Sequence, residues 1–184
     1  MNDQIKFSIV TTFQVILMCL SASFIFIVID ITLENPYSYI FAINPFTSGL
    51  IHSNFDHLIW NIFSIFICLN IKCNRFYTFE KIFRITSLIA ILYLPIILID
   101  SEFAAIGISG TCYFLLIRGL ISIKKLRYLT YFIAASIIIS EFIELGDDDK
   151  IAHAVHIIGS ILGLMSLYPG RLKIVHEKIY EIIS

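Results

Sequence analysis

The chain has 184 residues, of which 58% are hydrophobic and 15% charged, with a formal net charge of −1 and a mean hydropathy of +0.89. A soluble domain carries about 45–50% apolar and about 25% charged residues, so this composition excludes an ordinary water-soluble fold and points to a membrane protein. No basic excess marks a nucleic-acid partner, and none is expected.

A membrane-spanning helix needs about 20 mostly apolar residues, and six windows qualify: approximately 7–31, 48–71, 82–99, 104–123, 128–143 and 151–168. The expected fold is therefore an all-α membrane protein, a six-helix bundle forming a single domain over 1–184. The first window could be confused with a signal peptide. Its apolar region exceeds the ~7–15 residues of a signal core, and no small-residue cleavage site precedes Asp30, so it is read as a retained helix. The second opens with His52 and reaches His57 and Asn61 within the stretch HSNFDHLIWN. The fourth carries Gly107-Ile108-Ser109-Gly110 and then Tyr113. The sixth carries His153, His156, Gly159 and Gly163.

Charge sets the orientation. Lys72, Arg75, Lys81, Arg84, Arg118, Lys124, Lys125, Arg127, Arg171 and Lys173 all fall on one side under six spans. Asp56, Asp100, Glu102, Glu141, Glu144 and the run Asp147 to Asp149 cluster on the other. The positive-inside rule then makes both termini cytoplasmic. The cysteines Cys19, Cys68, Cys73 and Cys112 show no CxxC spacing, so neither a disulfide framework nor a thiolate metal site is expected. The acidic run lacks the EF-hand pattern and reads as a solvated loop.

Polar side chains at membrane depth are costly and mark functional candidates. The second, fourth and sixth windows all start on the external side, and at about 1.5 Å of rise per residue they bring His57, Ser109 and His156 to one level. His57 and Asn61 are spaced i, i+4 on one helix face, as are Ser109 and Tyr113. Gly159 and Gly163 give the sixth helix a small-residue stripe that permits close helix approach, and His156 lies on nearly the same face. Gly107 and Gly110 make the fourth helix its natural partner.

A serine hydroxyl becomes nucleophilic when a base takes its proton, and a histidine can do this and later return the proton to a leaving amine. The oxyanion needs donors already aimed at it. The expected roles are Ser109 as nucleophile, His156 as base, and His57, Asn61 and the serine amide as oxyanion donors, with His52 bracing the loop above. No acidic residue is expected at this depth, which favours a Ser-His dyad over a triad. His153 reads as a packing histidine. Ser64, Ser87, Ser136 and Ser140 are expected to bond back to their own helices, and Arg118 is expected to snorkel to the cytoplasmic face.

These residues together resemble the rhomboid family of intramembrane serine proteases. The resemblance rests on His52, His57 and Asn61 in the second window, on GxSG at Gly107 to Gly110 with an aromatic at Tyr113, and on His156 followed by Gly159 and Gly163. It implies a six-helix bundle around a water-filled cavity open to the outside, with Ser109 at the start of a short fourth helix and Tyr113 packed on the His156 ring. It also implies cleavage of transmembrane or membrane-anchored protein substrates near the external face of the cell membrane through an acyl-enzyme, with no metal or cofactor. His156 follows Val155 where the family has Ala, and Ala152-His153 occurs one turn earlier; the glycine register selects His156. The short segment from Leu33 to Gly49 lacks the Trp-Arg pair of many rhomboids, and with the compact size looks more like the rhombosortases. Two alternatives stay open: a catalytically inactive rhomboid-like binding protein, and a metal or haem protein using His52, His57, His153 and His156.

Overall fold

The computed structural model describes residues 3–32, 50, 55–71, 74, 77–99, 108–144 and 150–167, and every regular element among them is helical. In chain order these are α1 (Asp3–Thr32), α2 (Phe55–Leu69), α3 (Phe79–Ile99), α4 (Ser109–Ile121), α5 (Arg127–Glu144) and α6 (Lys150–Met165), with a 3₁₀ turn, Lys124–Leu126, leading into α5. Each falls in one of the six apolar windows, in the same order. Residues 48, 49, 51–54 and 104–107 of those windows, and Tyr168, lie outside the described residues, as do Cys73 and the Asp147 to Asp149 run.

The shortness of α4 organises the rest. Its 13 residues reach about 20 Å at 1.5 Å per residue, short of the about 30 Å of a bilayer core, and the helix starts inside the protein, with Ser109 only 4% exposed. Helices α2, α3, α5 and α6 surround it, and α1 packs outside α2 and α3. The core gathers Ile65 and Leu69 of α2, Ile85, Ile89 and Tyr93 of α3, and Phe114 and Leu115 of α4, each 2% exposed or less.

The most extensive contact is between α4 and α6, and glycine is its cause. A β-carbon at Gly159 would collide with the Gly110 carbonyl, and one at Gly163 would come within 2.5 Å of the Phe114 carbonyl oxygen. From the α4 side, a β-carbon at Gly110 would approach Val155 Cγ1 to 2.7 Å. Backbone therefore meets backbone over two turns, the arrangement small-xxx-small spacing permits.

Buried polar groups fasten the other contacts. Thr86 donates to Ile82 O at 2.9 Å, so Thr111 donates to Thr86 across 2.7 Å and ties α4 to α3. Asn74 Nδ2 donates to Cys68 O at 3.0 Å and to Leu115 O at 2.9 Å, clamping the end of α2 to α4. Arg118 is anchored at the end of α6. Its Nη1 donates to Ser166 Oγ at 2.7 Å and Ser166 O at 3.1 Å, and its guanidinium lies 5.5 Å from the centre of the Tyr77 ring. A cation at the C-terminal end of α6 is favoured by the helix dipole. Ser136 and Ser140 bond back to Phe132 O and Ile137 O as expected, whereas the buried Ser87 hydroxyl has no hydrogen-bond partner among the described residues.

The outward faces are apolar. Phe13, Leu17 and Phe24 on α1, Trp60 and Phe63 on α2, and Phe132, Phe142 and Ile143 on α5 are each 49–75% exposed. Two helical stretches, Asp3–Phe24 and Lys124–Glu144, are long and apolar enough to cross a membrane. The described residues thus form an all-α protein with at least this much membrane-compatible surface.

Candidate functional site

The α4–α6 seam fixes where the polar residues meet. Gly110 lies against Val155 and Gly159, and Ser109 on α4 and His156 on α6 each adjoin a residue of this contact in sequence. Ile108 precedes α4 with φ −81° and ψ 4°, and Ser109 is the first helical residue. A first-turn amide has no acceptor within its own helix, and the positive end of the helix dipole lies there.

Ser109 Oγ is fully buried and makes no hydrogen bond among the described residues, His156 included. An unsatisfied buried hydroxyl costs about 1–3 kcal/mol and calls for an explanation such as a catalytic role. A nucleophile–base hydrogen bond often tightens only when substrate is bound.

The His156 ring is held from two sides. It stacks on Tyr113 with centroids 4.0 Å apart and planes 8° from parallel. Its Nδ1 lies 2.9 Å from Glu141 Oε2. Tyr113 Oη in turn donates to Glu141 Oε1 at 2.5 Å, so phenol, imidazole and carboxylate form a closed set drawn from α4, α6 and α5. His153 joins the same oxygen, with Nδ1 2.8 Å from Glu141 Oε2, and its ring stands perpendicular to that of His156 at 6.2 Å. His153 also approaches Glu144 Oε2 at 3.7 Å, toward a half-exposed carboxylate.

Glu141 corrects one expectation: an acidic residue does sit at the level of the histidines, only 5% exposed. His153 is a packing histidine hydrogen-bonded to this neighbour, in line with its sequence reading. The physical reason is the antiparallel hairpin of α5 and α6. Glu141 lies three residues before the end of α5 at Glu144, and His153 three residues after the start of α6 at Lys150. Equal distances from a shared turn mean equal depth. The charge pattern alone places Glu141 in the external acidic cluster; its distance from the end of α5, equal to that of His153 from the start of α6, is the signal that pairs them.

Of the other predicted residues, Asn61 is buried at 6% exposure and faces α4, where Cys112 Sγ donates to Asn61 O at 3.5 Å and Oδ1 at 3.8 Å. His57, one turn earlier on α2, is half-buried and within Coulombic range of His156. The structure therefore places Ser109, Gly110 and Tyr113 of α4 and His156, Gly159 and Gly163 of α6 along their shared interface, with Asn61 of α2 against Cys112 of α4. His52 and Gly107 lie outside the described residues.

Glu141, His153 and His156 each offer a ligand atom within 4.8 Å of the others, and a carboxylate with two imidazoles is a donor set that suits zinc. The arrangement can thus orient an imidazole base, or hold a divalent ion. No family model matches the chain, and no characterised protein or solved structure matches it.

Proposed function

We propose that the protein is a rhomboid-like intramembrane serine endopeptidase, with Ser109 as nucleophile and His156 as general base. The observation that carries this reading is the buried, unpartnered Ser109 hydroxyl at the start of α4, beside the seam whose other wall presents His156. Six helices in the six windows, with apolar outward faces on α1, α2 and α5, support a multi-pass bundle with both termini cytoplasmic and the site near the external face.

In this mechanism Ser109 Oγ attacks the scissile carbonyl as its proton passes to His156 Nε2, and the imidazolium then protonates the leaving amine. Water repeats the sequence to hydrolyse the acyl-enzyme. The developing oxyanion is received by the Ser109 amide at the positive end of α4, with Asn61 and His57 as further donors. The substrates are transmembrane or membrane-anchored proteins, reached through the bilayer.

The test is labelling of the detergent-purified protein with a fluorophosphonate probe and mapping of the adduct by mass spectrometry. An adduct on Ser109 is expected; no adduct on a folded protein would sink the protease reading in favour of an inactive bundle that binds membrane proteins. Asn61→Ala is expected to slow labelling by about 10²-fold, the loss typical of one oxyanion donor, with the melting profile retained. An unchanged labelling rate would remove Asn61 from the site.

The Glu141, His153 and His156 set favours a second reading, a metal-binding membrane protein. Glu141 gives it a carboxylate ligand at the level of the histidines. It leaves Ser109 unexplained, and stoichiometric zinc in protein purified without chelator would favour it over the protease.

A further inference from the structure

A buried carboxylate in this setting needs a reason. Glu141 is only 5% exposed, and among the described residues the partners it takes are two imidazoles and a phenol. Removing a carboxylate from water costs several kcal/mol by order of magnitude and is repaid only through well-formed bonds. If helix packing were its whole purpose, an uncharged acceptor would serve at lower cost.

With Glu141 ionised, the geometry also assigns hydrogens. An ionised carboxylate only accepts hydrogen bonds, so Nδ1 of His153 and Nδ1 of His156 both carry protons toward Oε2. The phenol proton of Tyr113 goes to Oε1. In a neutral ring this leaves the lone pair on Nε2, the atom opposite Glu141. Tyr113 prevents the His156 ring from turning, because its face is stacked at 4.0 Å and its hydroxyl is fastened to the same carboxylate.

We infer that Glu141 is the positioning residue of a Ser109–His156–Glu141 triad, held in place by Tyr113 and His153. The inference rests on the protease reading and deepens it. In the attack step the Ser109 Oγ–H bond breaks, Oγ bonds to the acyl carbon, and the proton goes to His156 Nε2. The imidazolium so formed stays bonded through Nδ1–H to the Glu141 carboxylate, which stabilises it without itself taking a proton. His153 donates to the same oxygen and fixes the carboxylate's rotation; of the two acids it approaches among the described residues, Glu141 is buried and Glu144 is half-exposed.

The experiment compares wild type, Glu141→Gln and Glu141→Asp in detergent by two readouts: ¹⁵N spectra of histidine-labelled protein, and the second-order rate of labelling by a fluorophosphonate. In wild type, His156 is expected in the Nδ1–H tautomer, with that preference lost in Glu141→Gln. Labelling should fall by about 10²-fold or more in Glu141→Gln, as when a serine protease loses the acid behind its histidine, and recover in part in Glu141→Asp, which keeps the charge.

A wild-type His156 in the Nε2–H tautomer would overturn the triad whatever the protein does. So would a folded Glu141→Gln that labels within a few-fold of wild type, a result that would leave the Ser109 protease standing. Should Glu141→Gln fail to fold, Glu141→Asp carries the test, and Asp labelling no faster than His156→Ala despite an intact melting profile would overturn it. Failure of wild type to label, with the Nδ1–H tautomer present, would instead bring down the protease reading and the triad's catalytic role with it.

Discussion

Replacing Gly159 with alanine is expected to force α4 and α6 apart and to destabilise the detergent-solubilised protein by about 3 kcal/mol, the upper end of what an added methyl costs in a packed interior. The cost is high because the new atom would meet the Gly110 carbonyl. A backbone group cannot rotate aside as a side-chain tip can. Relief requires that one helix move, and α4 is also fastened to α3 through Thr111 and Thr86, to the end of α2 through Asn74, and to α6 through Arg118 and Ser166. The comparison is Ile161→Ala on the same helix, at a side chain 42% exposed, which should change stability by about 0.5 kcal/mol or less. Thermal unfolding of the three proteins in one detergent decides it. Coincident curves for wild type and Gly159→Ala would mean that α4 and α6 do not depend on backbone contact at Gly159.

The same seam explains what could be read from the sequence. Helix number and order followed from hydropathy, because each apolar window is bounded by charge or turn residues and the windows do not overlap. Close approach of α4 and α6 followed from Gly159 and Gly163, since spacing of four residues is a property of one helix and needs no knowledge of its partner. The stack of Tyr113 on His156 required the partner as well, and came from the resemblance rather than from spacing. Glu141 was missed for a related reason. Its contacts are made to residues 12 and 15 positions later, across a helix turn, and hydropathy treats a carboxylate near a helix end as surface. Only the antiparallel register of α5 against α6 puts it inside. The Ser166 partner of Arg118 was not legible for the same reason, since it lies 48 residues away.

Because the two histidines of α6 share one carboxylate oxygen, mutation separates them where position alone does not. Ser109→Ala is expected to abolish fluorophosphonate labelling, since the attacking oxygen is gone. His156→Ala should lower it by about 10²–10⁴-fold, the usual contribution of a general base. His153→Ala should leave labelling within about 10-fold of wild type, because His156 keeps both its stack on Tyr113 and its own bond to Glu141. The asymmetry has a structural source. His156 follows Val155, which packs on Gly110 next to Ser109, whereas His153 lies one turn nearer the helix start and leans toward Glu144, 51% exposed. Loss of labelling in His153→Ala with His156→Ala unaffected would move the base one turn along α6. Equal and large losses in both would mean that the pair acts as a unit through Glu141, so that removing either imidazole lets the carboxylate turn away from the other.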